Sequence, residues 1–163
     1  MSLNVGDKAP DFNLPADGGS KLSLKSLKGK TVILYFYPKD DTPGCTTEAQ
    51  AFRDEIKKFD KAGAVIVGAS KDSVARHNKF KAKHALPFHL VSDEDGTLCE
   101  AYGTWIKKKL YGREYLGIAR ATFLIDGRGV IREIWPKVKV KGHADEVLAA
   151  VKALKAPHPA RDR

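Results

Sequence analysis

Cysteine is nearly missing from this chain of 163 residues: there are two, Cys45 and Cys99. Two thiols cannot form the disulfide framework of a small secreted scaffold or fill a Cys-rich zinc site. Long apolar runs are missing as well. None approaches the roughly 20 residues of a membrane span, and Met1 to Pro10 have no apolar core segment of a secretory signal. A cytoplasmic chain with reduced thiols is therefore expected. Histidine is sparse: His77, His84, His89, His143 and His158 show no ligand spacing, so no metal is expected. Acidic residues are outnumbered, 20 against 29 Lys and Arg, which leaves a net charge of +9. That excess, with Lys107 to Lys109 and Lys137, Lys139 and Lys141, admits a nucleic-acid binder. No nucleic-acid motif accompanies it, and a solvated lysine-rich surface is the preferred reading. Neither a nucleic-acid nor a membrane partner is expected.

The chain has no internal repeat and no linker long enough to divide domains. A single domain over residues 1–156 is expected, large enough to bury a substantial core, with 157–163 a polar, disordered tail. Asp11 to Leu14 and Lys21 to Leu24 read as an N-terminal hairpin around Asp17 to Ser20. Thr31 to Tyr37 is nearly all apolar, as in a strand covered on both faces. A helix is predicted from about Pro43 to Ala62, then a second buried strand over Ala64 to Ala69. Strand, helix and strand in about 40 residues make a parallel βαβ unit. Further helices are predicted over Asp72 to Lys83, Thr97 to Tyr102 and Ala144 to Lys155, and a short strand over Phe88 to Val91. Trp105 to Gly117 reads as irregular. Ala121 to Asp126 and Val130 to Trp135 read as an antiparallel hairpin, followed by a half-exposed extended segment over Lys137 to Lys141. This order is that of an α/β, thioredoxin-like fold: a central mixed β-sheet flanked by helices, with an N-terminal β-hairpin.

One stretch carries chemistry. Pro38 ends the apolar strand, because proline donates nothing to a sheet ladder. Thr42 is a candidate N-cap and Pro43 suits the first helical position. Cys45 then falls in the first turn, among free backbone N–H groups at the positive end of the helix dipole, where a thiolate is favoured over a thiol. Gly44 leaves room for a small molecule to approach the backbone. A dithiol oxidoreductase is disfavoured, since Cys45 is followed by Thr46, Thr47 and Glu48 rather than by a Cys-x-x-Cys motif.

Pro38, Thr42 and Cys45 match the Pro-x-x-x-Thr-x-x-Cys motif of the peroxiredoxins. The longer string from Tyr37 to Glu48 resembles the bacterioferritin comigratory protein, or peroxiredoxin Q, subgroup. The likeness extends through Val5 to Phe12, Ser92 to Gly96, Ala101 to Trp105 and Gly117 to Asp126, nearly the whole chain. It implies the same fold and a thiol-dependent peroxidase that reduces hydrogen peroxide and organic hydroperoxides without a cofactor. By the same resemblance, Cys45 attacks peroxide and becomes a sulfenic acid. Gly44 and Cys45 offer backbone N–H groups to developing charge, and Thr42 orients the peroxide. Arg120 matches the family arginine and stabilises thiolate and transition state; Pro38 completes the motif. Glu48 matches an acidic or amide position and is given no catalytic role. Tyr37 and Trp105 are expected to wall the pocket.

One departure bears on recycling. Many members of the subgroup carry a resolving cysteine five residues after the peroxidatic one, where this chain has Gln50. Others carry it on the following helix, which has no cysteine here. A one-cysteine cycle completed by an external thiol (thioredoxin, glutaredoxin or glutathione) is expected. The alternative is an atypical two-cysteine enzyme with Cys99 as resolver. A monomer or weak homodimer is expected.

Overall fold

Six consecutive residues, Thr31–Phe36, are β-branched, aliphatic or aromatic and all buried, and they form the central strand β3. It can be buried on both faces because both its edges are paired. β4 (Ala64–Ser70) runs parallel to it, with Leu34 opposite Val67, and β8 (Ala121–Ile125) runs antiparallel, with Leu34 opposite Phe123. β5 (His89–Ser92) extends the parallel half and β9 (Ile131–Trp135) the antiparallel half, giving the order β5-β4-β3-β8-β9. This computed structural model describes residues 3–155. The tail expected over 157–163 lies outside them.

The pleat of β3 sorts the interior into two cores. Val32, Leu34 and Phe36 point to one, with Val67, Val91, Phe123, Ile125 and Cys99. Ile33, Tyr35 and Tyr37 point to the other, with Cys45, Phe52, Phe59, Phe80 and Leu148. The second core is covered by α1 (Pro43–Asp54), α2 (Ile56–Lys61), α3 (Val74–His84) and α5 (His143–Lys155). The first is covered by α4 (Thr97–Ala101) and the N-terminal hairpin of β1 (Asn13–Pro15) and β2 (Lys21–Ser23), whose Leu14 and Leu22 pack on it.

Two expectations are corrected. The helix read over Pro43 to Ala62 is two helices, broken at Glu55, whose N–H turns back to the Phe52 carbonyl at 3.2 Å. Trp105 to Gly117 is not irregular. β6 (Trp105–Leu110) and β7 (Arg113–Ile118) pair antiparallel over their whole length. Tyr111 (φ 52°) and Gly112 (φ 78°) form their two-residue turn, as a tight hairpin requires. Residues 137–141 keep the expected alternation of exposure but join no sheet. Val138 instead donates its N–H to the Arg120 carbonyl at 2.8 Å.

Candidate active site

β3 delivers the chain to the site. Tyr37 still bonds the ladder, its N–H donating to the Ala69 carbonyl at 3.1 Å, and Pro38 then releases the chain into a loop. That loop is anchored from below. The Tyr37 hydroxyl donates to Asp40 Oδ1 at 2.5 Å, and the Asp40 N–H donates to Asp72 Oδ2 at 2.8 Å. His77 Nδ1 lies 2.7 Å from Asp40 Oδ2 and its Nε2 2.8 Å from the Val91 carbonyl. Both ring nitrogens face oxygens, a carboxylate and a carbonyl, an arrangement that favours the imidazolium over the neutral ring. Burial opposes that charge and Asp40 outweighs it, which raises the histidine pKa. Asp40, Asp72 and His77 form the one cluster of three potential metal ligands among the described residues. The Ser70 hydroxyl and the Arg76 guanidinium fill the remaining acceptors of Asp72. The cluster is thus a closed hydrogen-bond network that holds the loop.

Thr42 occupies the N-cap position in extended geometry (φ −90°, ψ 156°), and the helix ladder begins with the Thr46 N–H donating to its carbonyl at 2.8 Å. The expected side-chain cap is not made. The Thr42 hydroxyl donates to the Lys39 carbonyl at 2.8 Å, leaving its oxygen free to accept. Cys45 follows in the first turn of α1 with 2 % of its surface exposed.

Arg120 lies on the approach to β8, the strand that pairs with β3 on its antiparallel side. Its neighbours fix its backbone: the Ala119 N–H bonds the Thr104 carbonyl at 2.7 Å, while the Arg120 carbonyl accepts from Val138. The guanidinium lies over the first turn of α1, with Nη1 3.5 Å from Cys45 Sγ. Gly44 makes this approach possible, because a Cβ there would stand 3.0 Å from Arg120 Nη2. The structure therefore brings Gly44, Cys45 and Arg120 together, with Thr42 at the N-cap of the same helix and Pro38 at the start of the loop that leads to it.

Glu48 reaches the same place, and one further residue feels the charge there. Glu48 Oε1 accepts from Arg120 Nη1 at 2.8 Å, so one nitrogen serves both the sulfur and the carboxylate. Glu48 Oε2 and the Tyr35 hydroxyl are buried with no hydrogen-bond partner among the described residues. Burial pushes the Glu48 carboxyl up to about 7, with Arg120 opposing. The i, i+3 spacing of Cys45 and Glu48 on one helix face was the signal available in the sequence. Lys108 of β6 is the other. Burial and the Arg120 charge lower its pKa, and the Cys45 sulfur opposes them. No local pattern announced it, since its strand was read as irregular.

Cys99 and Trp105 lie elsewhere. Both pack with the first core, on the opposite face of the sheet from Cys45, and Lys71 Nζ sits 4.3 Å from the Trp105 ring centroid. Burial, reinforced by Asp93, pushes the Cys99 thiol up to about 12. Gln50, at the position of the usual resolving cysteine, faces His84 Nδ1 at 3.4 Å.

A mixed sheet that presents a helix-start thiol beneath a guanidinium is a thioredoxin-like architecture suited to thiol redox chemistry. Residues 5–134 match the AhpC/TSA family. Bacillus subtilis peroxiredoxin Bcp is 51% identical over 152 residues, covering 93% of this chain and 97% of its own. A Xanthomonas campestris bacterioferritin comigratory protein, whose structures concern alkyl peroxide reduction, superposes with a TM-score of 0.85 at 48% identity, covering 89% of this chain and 92% of that one. A cysteine-to-serine mutant of Xylella fastidiosa PrxQ gives 0.91 at 39% identity, covering 96% and 99%. The chain belongs to the AhpC/TSA family and, within it, is a peroxiredoxin of the Bcp or PrxQ kind: a thiol-dependent peroxidase. No helix among the described residues is long and apolar enough to cross a membrane.

Proposed function

We propose that Cys45 is the sulfur that attacks peroxide, that Thr42, Gly44 and Arg120 position and polarise the substrate, and that an external thiol closes a one-cysteine cycle. The observation that carries the reading is Arg120 Nη1 at 3.5 Å from a sulfur in the first turn of a helix. The helix dipole and the guanidinium both favour negative charge on that sulfur. Thiolate attack on the near oxygen of ROOH breaks the O–O bond. It leaves Cys45–SOH and, with one proton, ROH. The first-turn N–H groups of Gly44 and Cys45 precede the helix ladder and face the departing oxyanion, as in an oxyanion hole. The free lone pair of Thr42 accepts the hydroperoxide proton and orients the substrate. Pro38 contributes by what it lacks: with no N–H, it turns the chain out of the sheet and opens the mouth of the site.

Organic hydroperoxides are proposed substrates beside hydrogen peroxide, consistent with the alkyl peroxide reduction of the Xanthomonas relative. The external thiol is proposed to come from thioredoxin, glutaredoxin or glutathione in a cytoplasmic setting, with the chain acting as a monomer or weak homodimer. The separation of Cys99 from Cys45 by the sheet, together with its suppressed ionisation, supports an external rather than an internal resolver. The test is peroxide consumption by Cys45→Ser and Arg120→Met. Cys45→Ser is expected to lose all turnover while keeping its fold. Arg120→Met is expected to slow Cys45 oxidation by roughly 100-fold, the scale of losing one fixed electrostatic donor. Parent-like consumption by Cys45→Ser overturns the reading.

A further inference from the structure

The β6–β7 hairpin carries an unusual surface. Among the described residues, six large hydrophobic side chains are exposed, and five of them, Ile106, Leu110, Tyr111, Tyr115 and Leu116, are on this hairpin. Tyr111 at its tip is 95 % exposed. Scattered exposed apolar residues need no explanation, but a cluster on one projecting element marks an interaction site. Lys107, Lys108, Lys109 and Arg113 stand among them, against Glu114 alone.

Pairing fixes the faces. Ile106, Lys108 and Leu110 lie opposite Gly117, Tyr115 and Arg113, so all six share one face. Gly117 leaves the space in which the Lys108 stem and the Tyr115 ring lie, since a Cβ there would be 3.3 Å from each. The Lys108 charge in turn responds to Arg120 and Cys45. The base of the hairpin adjoins the candidate active site: the Ala119 N–H bonds the carbonyl of Thr104, just before β6, and Arg120, two residues past β7, reaches Cys45.

We propose that this hairpin is the docking surface for a protein dithiol reductant with an apolar centre and an acidic rim. The proposal rests on the one-cysteine reading of Cys45. Charge selects the occupant. A second copy of the chain would set Lys108 and Arg113 against their own like, with no carboxylate on that face, whereas an acidic partner is attracted and steered. A reductant seated on this hairpin lies along the strand that leads to Arg120, whose guanidinium is 3.5 Å from the sulfur to be reached. Its thiolate attacks the sulfenic sulfur of Cys45–SOH; the S–O bond breaks, an S–S bond forms, and hydroxide leaves and takes up one proton to become water. The partner's second thiolate then attacks the partner sulfur of that mixed disulfide. Cys45 leaves as thiolate and the partner keeps both oxidised sulfurs, having supplied two electrons.

The test compares the parent with Arg113→Glu, on the Lys108 face, and with Leu110→Ser/Tyr111→Ser in three assays: reductant-free oxidation of Cys45 by hydrogen peroxide, turnover with dithiothreitol, and turnover with a thioredoxin of negative net charge. The first two rates are expected to stay at parent values. The thioredoxin kcat/KM is expected to fall about tenfold, and in the charge-reversed variant to lose its decline with salt. Unchanged thioredoxin kinetics overturn the proposal, as does an equal fall in all three assays, which would place the effect at the peroxide site. Turnover with glutathione but none with thioredoxin also overturns it, since a small thiol needs no such surface. Cys45→Ser, run in parallel, reports separately on the reading beneath it: parent-like peroxide consumption there would remove the site and not merely the dock.

Discussion

Glu48 is pulled in opposite directions by burial and by a guanidinium. Burial wins, and its carboxyl rises from an ordinary 4.5 to about 7. The folded state then holds a proton that the unfolded chain has released, so the stability Glu48 confers is full below about pH 4.5 and declines as pH rises through about 7. The same titration redirects charge at the site. Neutral Glu48 leaves the Arg120 charge to the Cys45 sulfur, whereas ionised Glu48 takes a share through Nη1. Glu48→Gln keeps an acceptor for Arg120 and cannot ionise. Urea unfolding between pH 5 and 8.5 is expected to show a shallower loss of stability for the variant than for the parent, with the variant the more stable at the alkaline end. A variant that declines as steeply as the parent would assign the slope to another group. Cys45 was legible at this scale because proline, N-cap position and first turn are all local. Arg120 became legible only through family resemblance, because its tethers to Thr104 and Val138 join distant parts of the chain. Glu48 was visible at helical spacing, but it lies in the second turn of α1, where an acid toward a helix start has an ordinary explanation in the helix dipole.

Among the elements, the buried strands were the most legible, since Thr31 to Phe36 and Ala64 to Ser70 are continuous apolar runs. β6 and β7 were the least. Their lysines and exposed apolar residues fall on both faces, so the alternation that marks a half-buried strand is missing. Their turn is also disguised. Asn-Gly would have announced a tight hairpin, but Tyr111 occupies the first turn position at φ 52°. Left-handed backbone costs an ordinary residue about 1 kcal/mol, while asparagine tolerates it. Tyr111→Asn is therefore expected to stabilise the hairpin by about 1 kcal/mol. Amide hydrogen exchange over Lys107 to Leu110 should slow in the variant. Exchange faster than in the parent would mean that the tyrosine ring holds the turn through packing outweighing its backbone strain. A tyrosine kept at a strained, solvent-exposed tip fits a surface retained for contact better than one shaped for stability.

At the scale of the whole molecule, the sheet decides which thiols can meet. β3 sends Ile33, Tyr35 and Tyr37 toward Cys45, and Val32, Leu34 and Phe36 toward Cys99, so the two sulfurs occupy different cores. A disulfide needs Cα atoms within about 7 Å. Unwinding the first turn of α1 alone would free Cys45 but leave Cys99 fully buried in α4, its N–H bonded to Asp93 Oδ2 at 2.9 Å and its thiol pushed up to about 12. A thiol so held supplies almost no thiolate at neutral pH, and thiolate is what attacks a sulfenic acid. The barrier to internal resolution is therefore global, and a global barrier has a distinct signature. Native protein given one equivalent of peroxide is expected to gain one oxygen by intact mass and to react with a sulfenic-acid trap. Protein oxidised in denaturing guanidinium, where the sheet no longer separates the sulfurs, is expected to lose two hydrogens as Cys45 and Cys99 join. Cys99→Ser should lose that second product and keep native turnover with external thiol. Loss of two hydrogens by the native protein, together with an inactive Cys99→Ser, would mean that both layers open within the catalytic cycle and that Cys99 is the resolver.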